Sequence, residues 1–470
     1  MSTDPSPSSN PSASPVFDPS KPHLMRPKLR PVRGFPAQAQ TPDGQTVQML
    51  GLSDARQISE KVVITQPAFT MVLPLLDGVR DLDQVVAEVG RGLTRPILEQ
   101  LIVQLDDAAL IEGPAFEALR KRMHETFDAS PTLPPASTAQ FADVIIAQAE
   151  AAEKSEAEKQ ALIEAGFKAF FDKWIDETLK QVPDPALDTL PRAVVVPHLD
   201  YGRGWMNYAA VYGRLRVADR PDRIIILGTN HFGECTGVCA CDKGFESPIG
   251  TCHADADVIS GLRRRLGDAV FAHRFDHERE HSIELHIPWL QHVFGKDASG
   301  AYPKVFAALV HDPAVNNGES YDGSGVALQP FVDALKAVIA ELPGRTLIIS
   351  SADLSHAGPA FGDETPLAGE QGPGADARNR VLQTDREMLN LLIGPNAGEG
   401  EHRRKAVADR VSGLMSSMAW QQNPTRWCSV GNLCATMLLA EPAETKLVNY
   451  AATMDQEGMT FVSSCAMVMV

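Results

Sequence analysis

Three apolar runs in the C-terminal part of the chain stop in the same way, each on groups that can bind a metal or move a proton. "RAVVVP" is followed by His198 and Asp200, "RIIILG" by Asn230 and His231, and "RTLIIS" by Ser351, Asp353 and His356. Unbroken apolar runs suit strands covered on both faces, and ligands of open α/β sheets sit beyond the carboxyl ends of such strands. Polar groups just past three strand ends can therefore converge in one cleft although they lie far apart in sequence. Two neutral imidazoles with a carboxylate or a thiolate make a ligand set suited to iron, copper or zinc, and His198 and His231 are its foremost candidates. A lone histidine at a strand end is more often a cap or a satisfied hydrogen-bonding residue. The threefold coincidence is what argues for a site.

A fourth cluster, "HEREHSIELHIPWL", begins at His277 and supplies Glu280, His281, Glu284 and His286. His281 and Glu284 are three apart and share a face if the segment is helical. Within it, His277-Glu278-Arg279-Glu280-His281 matches H-E-x-x-H, where two histidines on one helical turn bind zinc and the glutamate activates water. The preceding "AHRFD" is polar and no G-x-x-H extension follows, so a zinc hydrolase stands only as an alternative reading. Cys235, Cys239, Cys241 and Cys252, with His253, are dense enough to suggest structural zinc. Their C-x3-C-x-C spacing is not the paired C-x2-C of such sites, and half-buried strand thiols explain it equally well. Cys434 and Cys465 sit in apolar stretches and read as core.

The elements that must position these groups are set by a chain of 470 residues, 44% hydrophobic and 22% charged, which is long enough for two or three domains. With 43 basic and 60 acidic residues the formal net charge is −17, the wrong sign for a general nucleic-acid or anionic-membrane surface. The expected partners are metals, small molecules or proteins. An N-terminus rich in Pro and Ser without an apolar core segment, no run of membrane-spanning length, and seven cysteines that suit reduced thiols or metal ligands together imply a cytoplasmic protein. Residues 1–22 are expected to form a flexible tail. Residues 23–116 read as a small α+β unit, with strands near Thr46–Leu50 and Val62–Thr65 and helical patterns near Pro67–Leu76, Leu82–Val89 and Arg95–Ala108, the order of a winged helix. Arg95 stands among Glu99, Asp106 and Asp107 on the third pattern, which disfavours phosphate contacts. Residues 117–187 hold a Pro-rich break and a long helical pattern whose Phe167, Phe170, Phe171 and Trp174 form a stripe to pack on the next domain. From 188 to 470, short apolar runs alternate with helical segments, the texture of a layered α/β domain.

Two resemblances extend these readings. "LLDGVRDLDQVVAEVG" and "ILEQLIVQLDDAALIEG" resemble PqqD-like domains, which implies a peptide or protein partner for the N-terminal unit. "VVVPHLDYGRG", "IIILGTNHFG", "SPIGTCHAD", "EHSIELHIPWLQHVF", "LIISSADLSHAG", "WCSVGN" and the terminal "LVNYAATMDQEGMTFVSSCAMVMV" resemble, in order and spacing, the Memo family. That family is the B protein of the AmmeMemoRadiSam system, with a fold shared with the catalytic subunit of class III extradiol ring-cleaving dioxygenases. The resemblance implies a metal cluster of His198, His231, Asp353, His356 and Cys428. Of these, His198, His231 and Cys428 are expected to hold the metal, iron first, with copper or zinc as alternatives. His281, His356 and Asp353 are expected to move protons beside it or orient a ligand. A thiolate in place of the dioxygenase carboxylate is a softer donor that changes metal preference and redox potential, so ring cleavage is not carried over with the fold. The sequence departs from the family's pattern at Ser429, where relatives usually have Gly, and Asp200 and Arg203 are subtype features. Two functions are thereby expected: a non-haem metal-dependent oxidoreductase acting on a small molecule, or a peptide- or protein-binding module of a radical-SAM-linked pathway with a vestigial metal site.

Overall fold

Residues 16–40, 44–181, 187, 189–311, 323 and 325–470 are described by a computed structural model. The chain divides into two compact units, Met1–Ala129 and Ser130–Val470, so the boundary falls inside the stretch read from sequence as a linker. Of the tail expected over 1–22, residues 1–15 lie outside the described residues.

The first unit begins with the short helix α1 (Pro22–Met25), followed by an antiparallel sheet of β1 (Val32–Gln40), β2 (Thr46–Asp54) and β3 (Val63–Thr65), in that order. Helices α2 (Leu82–Val89), α3 (Arg95–Asp107) and α4 (Pro114–Ala129) follow. β1 has no counterpart in the sequence reading because Gly34 and Pro36 argue against a strand interior. An edge position tolerates both, and β1 is an edge. The helix expected over Pro67–Leu76 is instead two 3-10 turns, Pro67–Met71 and Leu73–Leu75, since Pro74 cannot donate the bond that an α-helix would need there. α2 starts at a capping box, with Asp81 accepting from the Gln84 backbone and Gln84 reaching back. Leu52, Leu82, Val85, Leu98 and Ile102 form the core. Beside it Arg30 pairs with Asp54 at 3.0 Å and lies 3.6 Å over the Phe116 ring, so this buried charge has a counter-charge beside it.

The second unit is mixed α/β. It opens with β4 (Thr132–Leu133), α5 (Ser137–Gln148) and α6 (Glu156–Leu179), then runs through β5 (Ala193–Val196), α7 (Tyr201–Leu215), β6 (Arg223–Thr229) and β7 (Val238–Cys241). β8 (Gly244–Ser247), β9 (Gly250–Cys252), α8 (Ala256–Leu266), α9 (His281–Glu284), α10 (Ile287–Phe294), β10 (Lys304–Val310) and α11 (Leu328–Glu341) come next. β11 (Thr346–Ser351), β12 (Asp353–Ala357), α12 (Pro373–Leu392), β13 (Gly394–Pro395), α13 (Glu401–Gln421), α14 (Val430–Ala440), β14 (Glu444–Met454) and β15 (Phe461–Met469) complete it. The main sheet has nine strands in the order β13-β14-β15-β5-β11-β6-β10-β7, with β12 pairing β15, and β4, β8 and β9 form a small second sheet.

β5, β11, β6 and β10 are parallel neighbours, and β15 and β7 close them antiparallel. Through Ala193, Val195, Ile225 and Leu227 one face packs into a core shared with α8, α11 and α14. Val194, Val196, Ile224 and Ile226 alternate with these and are equally buried, so both faces are covered and the strands read as continuous apolar runs. α7 packs on β5, β14 and β15, and α6 packs on α7. There Phe171 stacks on Trp289 with 3.8 Å between ring centroids, while Tyr208 and Tyr212 lie nearly parallel to the same indole. Among the described residues no helix is long and apolar enough to cross a membrane.

Candidate metal centre

β5, β11 and β6 lie side by side and run the same way, so their carboxyl ends deliver the residues that follow them to one place. Past β5 stands His198, past β6 His231, and at the end of β11 Ser351, with Asp353 two residues on. The fourth contribution comes from the loop that leads into α14. Its Cys428 is fixed on both sides: Thr229 Oγ1 donates to the Cys428 carbonyl at 3.1 Å, and Trp427 donates from Nε1 to the buried Asp385 at 2.6 Å. Ser429 has a negative φ of −117°, outside the left-handed region that favours glycine, so a side chain at the position where glycine is expected costs nothing in left-handed strain. Two positions further, Gly431 does need to be glycine, since a Cβ there would meet the His311 carbonyl oxygen at 2.1 Å.

The ligand atoms of His198, His231 and Cys428 lie within 4.8 Å of one another. Cys428 Sγ is 3.4 Å from His198 Nε2, and the His198 and His231 rings meet edge to face at 5.0 Å. Each imidazole is held from behind. His198 Nδ1 lies 3.1 Å from Ser351 Oγ, and that hydroxyl donates its own proton to the Ser282 carbonyl. Ser351 can therefore only accept from His198, which places the proton on Nδ1 and leaves Nε2 with a free lone pair. His231 Nδ1 lies 3.0 and 3.2 Å from the two Glu280 oxygens, and its backbone N–H donates to the same carboxylate at 2.8 Å. The carboxylate demands a proton on Nδ1 and likewise turns Nε2 toward the thiol, an arrangement typical of metal-ligating histidines.

Electrostatics favour a cation here. Burial opposes charge on the His231 ring, yet the Glu280 carboxylate, and after it the Cys428 thiol, raise its pKa well above the ordinary imidazole value. Burial also opposes charge on Glu280, but His231 and then His281 hold it at about 2. His198 is lowered well below its ordinary value by burial and then by the neighbouring imidazoles, so it is a neutral donor. Asp353 is pushed up to about 7 by burial; its carboxylate accepts from the His198 backbone at 3.1 Å and lies 3.6 Å from His198 Nε2. Two imidazoles, one thiol and an adjacent carboxyl suit iron, copper or zinc.

The remaining residues singled out from sequence fall in different places. His281 stands beside the centre, 4.9 Å from the His231 ring and 5.5 Å from that of His198. His356 belongs to none of the ligand groups among the described residues: its Nδ1 faces the Leu354 carbonyl at 3.0 Å and its ring packs on Phe361. Asp200 is the N-cap of α7, accepting from the Arg203 backbone, and the two side chains pair with each other. His281 and Glu284 do not act together, because α9 is a single turn and Glu284 instead accepts from the backbone N–H groups of Ala136, Ser137 and Thr138.

The H-E-x-x-H reading fails on geometry. His277 ends a 3-10 turn and α9 starts only at His281, so the two histidines do not share a helical turn. His277 points from Nε2 to the Cys239 carbonyl at 3.3 Å. β7 is buried along its whole length, so its cysteines are fully rather than half buried, and no group with metal-ligand spacing among the described residues includes them. The sequence names Ser351 by the same strand-end rule as His198, and Glu280 in the cluster that begins at His277, but it assigns neither of them the task of orienting an imidazole.

Among known proteins, the profile described as "Memo-like protein" matches residues 167–468. A MEMO1 family protein of Methanopyrus kandleri is 32% identical over 172 residues, 36% of this chain and 54% of that protein. One from Thermotoga petrophila is 31% identical over 206 residues, 42% of this chain and 65% of the relative. One from Aquifex aeolicus is 24% identical over 339 residues, 71% and 76% of the two chains. The chain thus spans about half to two thirds of the length of the first two of these relatives.

Proposed function

This chain belongs to the Memo-like protein family, and from that premise we propose that it is a non-haem metal protein, iron first and copper second, acting as a metal-dependent oxidoreductase. The observation that carries the reading is that two histidine Nε2 atoms and one thiol converge while both Nδ1 atoms are engaged from behind. His198, His231 and Cys428 would hold the ion. When bound, such an ion supplies redox chemistry or polarises a ligand. A His2Cys donor set is also that of copper electron-transfer sites, which is why copper is the second reading.

The chain's own groups supply the rest. Asp353, with a pKa near 7 set by burial, is able to take or give a proton beside His198 at neutral pH. Burial keeps His281 below its ordinary value and His356 at about 4, so both are neutral bases at that pH. Anaerobic purification should yield protein containing iron with a thiolate-to-metal absorption band, and His198→Ala and Cys428→Ala should each lose the band. A wild-type protein that takes up neither iron nor copper would sink the proposal.

A second reading concerns the first unit alone. The edge of β3 away from β2 pairs with no strand among the described residues. A cleft of about 420 Å³ lies beside it, lined by Lys61, Val63 and Ile64 together with Gln104 and Asp107 of α3. An extended peptide could add to this edge by main-chain hydrogen bonding. If so, Ile64→Pro should weaken capture of a peptide partner without changing the absorption of the metal centre.

A further inference from the structure

His231 has a second nitrogen, and it faces a second set of donors. Its Nδ1 lies 3.0 Å from Glu280 Oε1, and the Nδ1 of His281 lies 3.4 Å from that same oxygen. The two rings are inclined by only 24° with centroids 4.9 Å apart, so both turn a nitrogen edge to one carboxylate. The ligand atoms of His231, Glu280 and His281 fall within 4.8 Å of one another, as do those of His198, His231 and Cys428, and His231 alone belongs to both sets. Nitrogen and carboxylate donors at 3.0–3.4 Å from one another leave room for an ion bonded to each at about 2.0–2.2 Å. The Glu280 side chain is fully buried and has no lysine or arginine partner among the described residues; it is met by these two imidazoles and by the backbone N–H groups of His231 and Ser282. A buried carboxylate without a fixed cation is costly unless positive charge is brought to it. His231 and His281 are each partly exposed, which gives such a charge a way in.

We propose that His231, Glu280 and His281 form a second site for a divalent transition metal of the zinc type, so that the His231 imidazole bridges a two-metal centre. Filling it releases the His231 Nδ1 proton to solvent, and the ring then gives one nitrogen lone pair to each ion. The inference rests on the reading of the first donor set only through the shared ring.

Full-length protein stripped by chelator and titrated anaerobically with Co²⁺, with bound metal counted after desalting, tests it. Two equivalents are expected, one of them producing the thiolate absorption. His281→Ala should bind one equivalent with that absorption intact, and Cys428→Ala one equivalent without it. Should His281→Ala fold poorly by its melting curve, His281→Gln serves in its place. A wild-type protein that takes up no metal, or a single equivalent that His281→Ala retains, or a His281 variant that still takes up two, overturns the proposal. If instead one equivalent binds without thiolate absorption and is lost in the His281 variant, the second site stands and the first reading fails.

Discussion

Ser351 and Glu280 do for the two imidazoles what the imidazoles would do for a metal: each presents oxygen to a ring Nδ1 and so decides where the lone pair points. Removing the Ser351 hydroxyl strands a buried N–H and frees the tautomer. Ser351→Ala should therefore weaken metal binding by about 10–100-fold, measured by chelator competition, as loss of such outer contacts does elsewhere. A histidine outside the centre adds to the acid sensitivity of the fold. His286 is buried, its Nδ1 3.0 Å from the Tyr212 hydroxyl, and burial holds it at about 3 against an ordinary 6.5. A depressed histidine stabilises the fold fully above its unfolded value. That contribution drains away as the pH falls from about 6.5 toward 3, because the unfolded chain takes up the proton first. Urea unfolding should lose stability with a slope that His286→Gln reduces by about 1.4 kcal/mol per pH unit over this range.

At the scale of elements, short segments carry the geometry. Glu284 lies in the one-turn α9, yet its carboxylate receives three backbone N–H groups at the start of α5 and the Thr138 hydroxyl. Glu284→Ala should cost about 1–3 kcal/mol in urea unfolding, the range for stranding buried donors, while the thiolate band persists because Glu284 belongs to neither donor group. The strands that end on His198, His231 and Ser351 were legible from sequence because β5, β6 and β11 are buried on both faces and so lack alternation. That β5, β11 and β6 stand side by side was not legible, since strand order is set by crossovers that no local pattern records. The segment from His277 to His286 misled in an instructive way. Its spacing was helical, but the 3-10 turn ends at His277 and α9 starts only at His281, so His277, His281, Glu284 and His286 reach four different neighbours. Cys428 was reached through resemblance alone, because the loop that carries it owes its place to Trp427 and Asp385, which lie 42 residues apart.

For the molecule as a whole, every donor of both metal groups lies within Ser130–Val470. A chain lacking Met1–Ala129 should keep the absorption of the metal-bound protein, and its loss on truncation would mean that the second unit depends on the first for its fold. The apolar runs that built the sheet also decided where the thiols went. Of the seven cysteines, six are buried and Cys428 alone is partly exposed. The chain thus carries one natural labelling handle: a thiol-specific reagent should modify a single cysteine quickly in chelator-treated protein, and the rate of that one reaction reads out occupancy of the first donor set without any engineered probe.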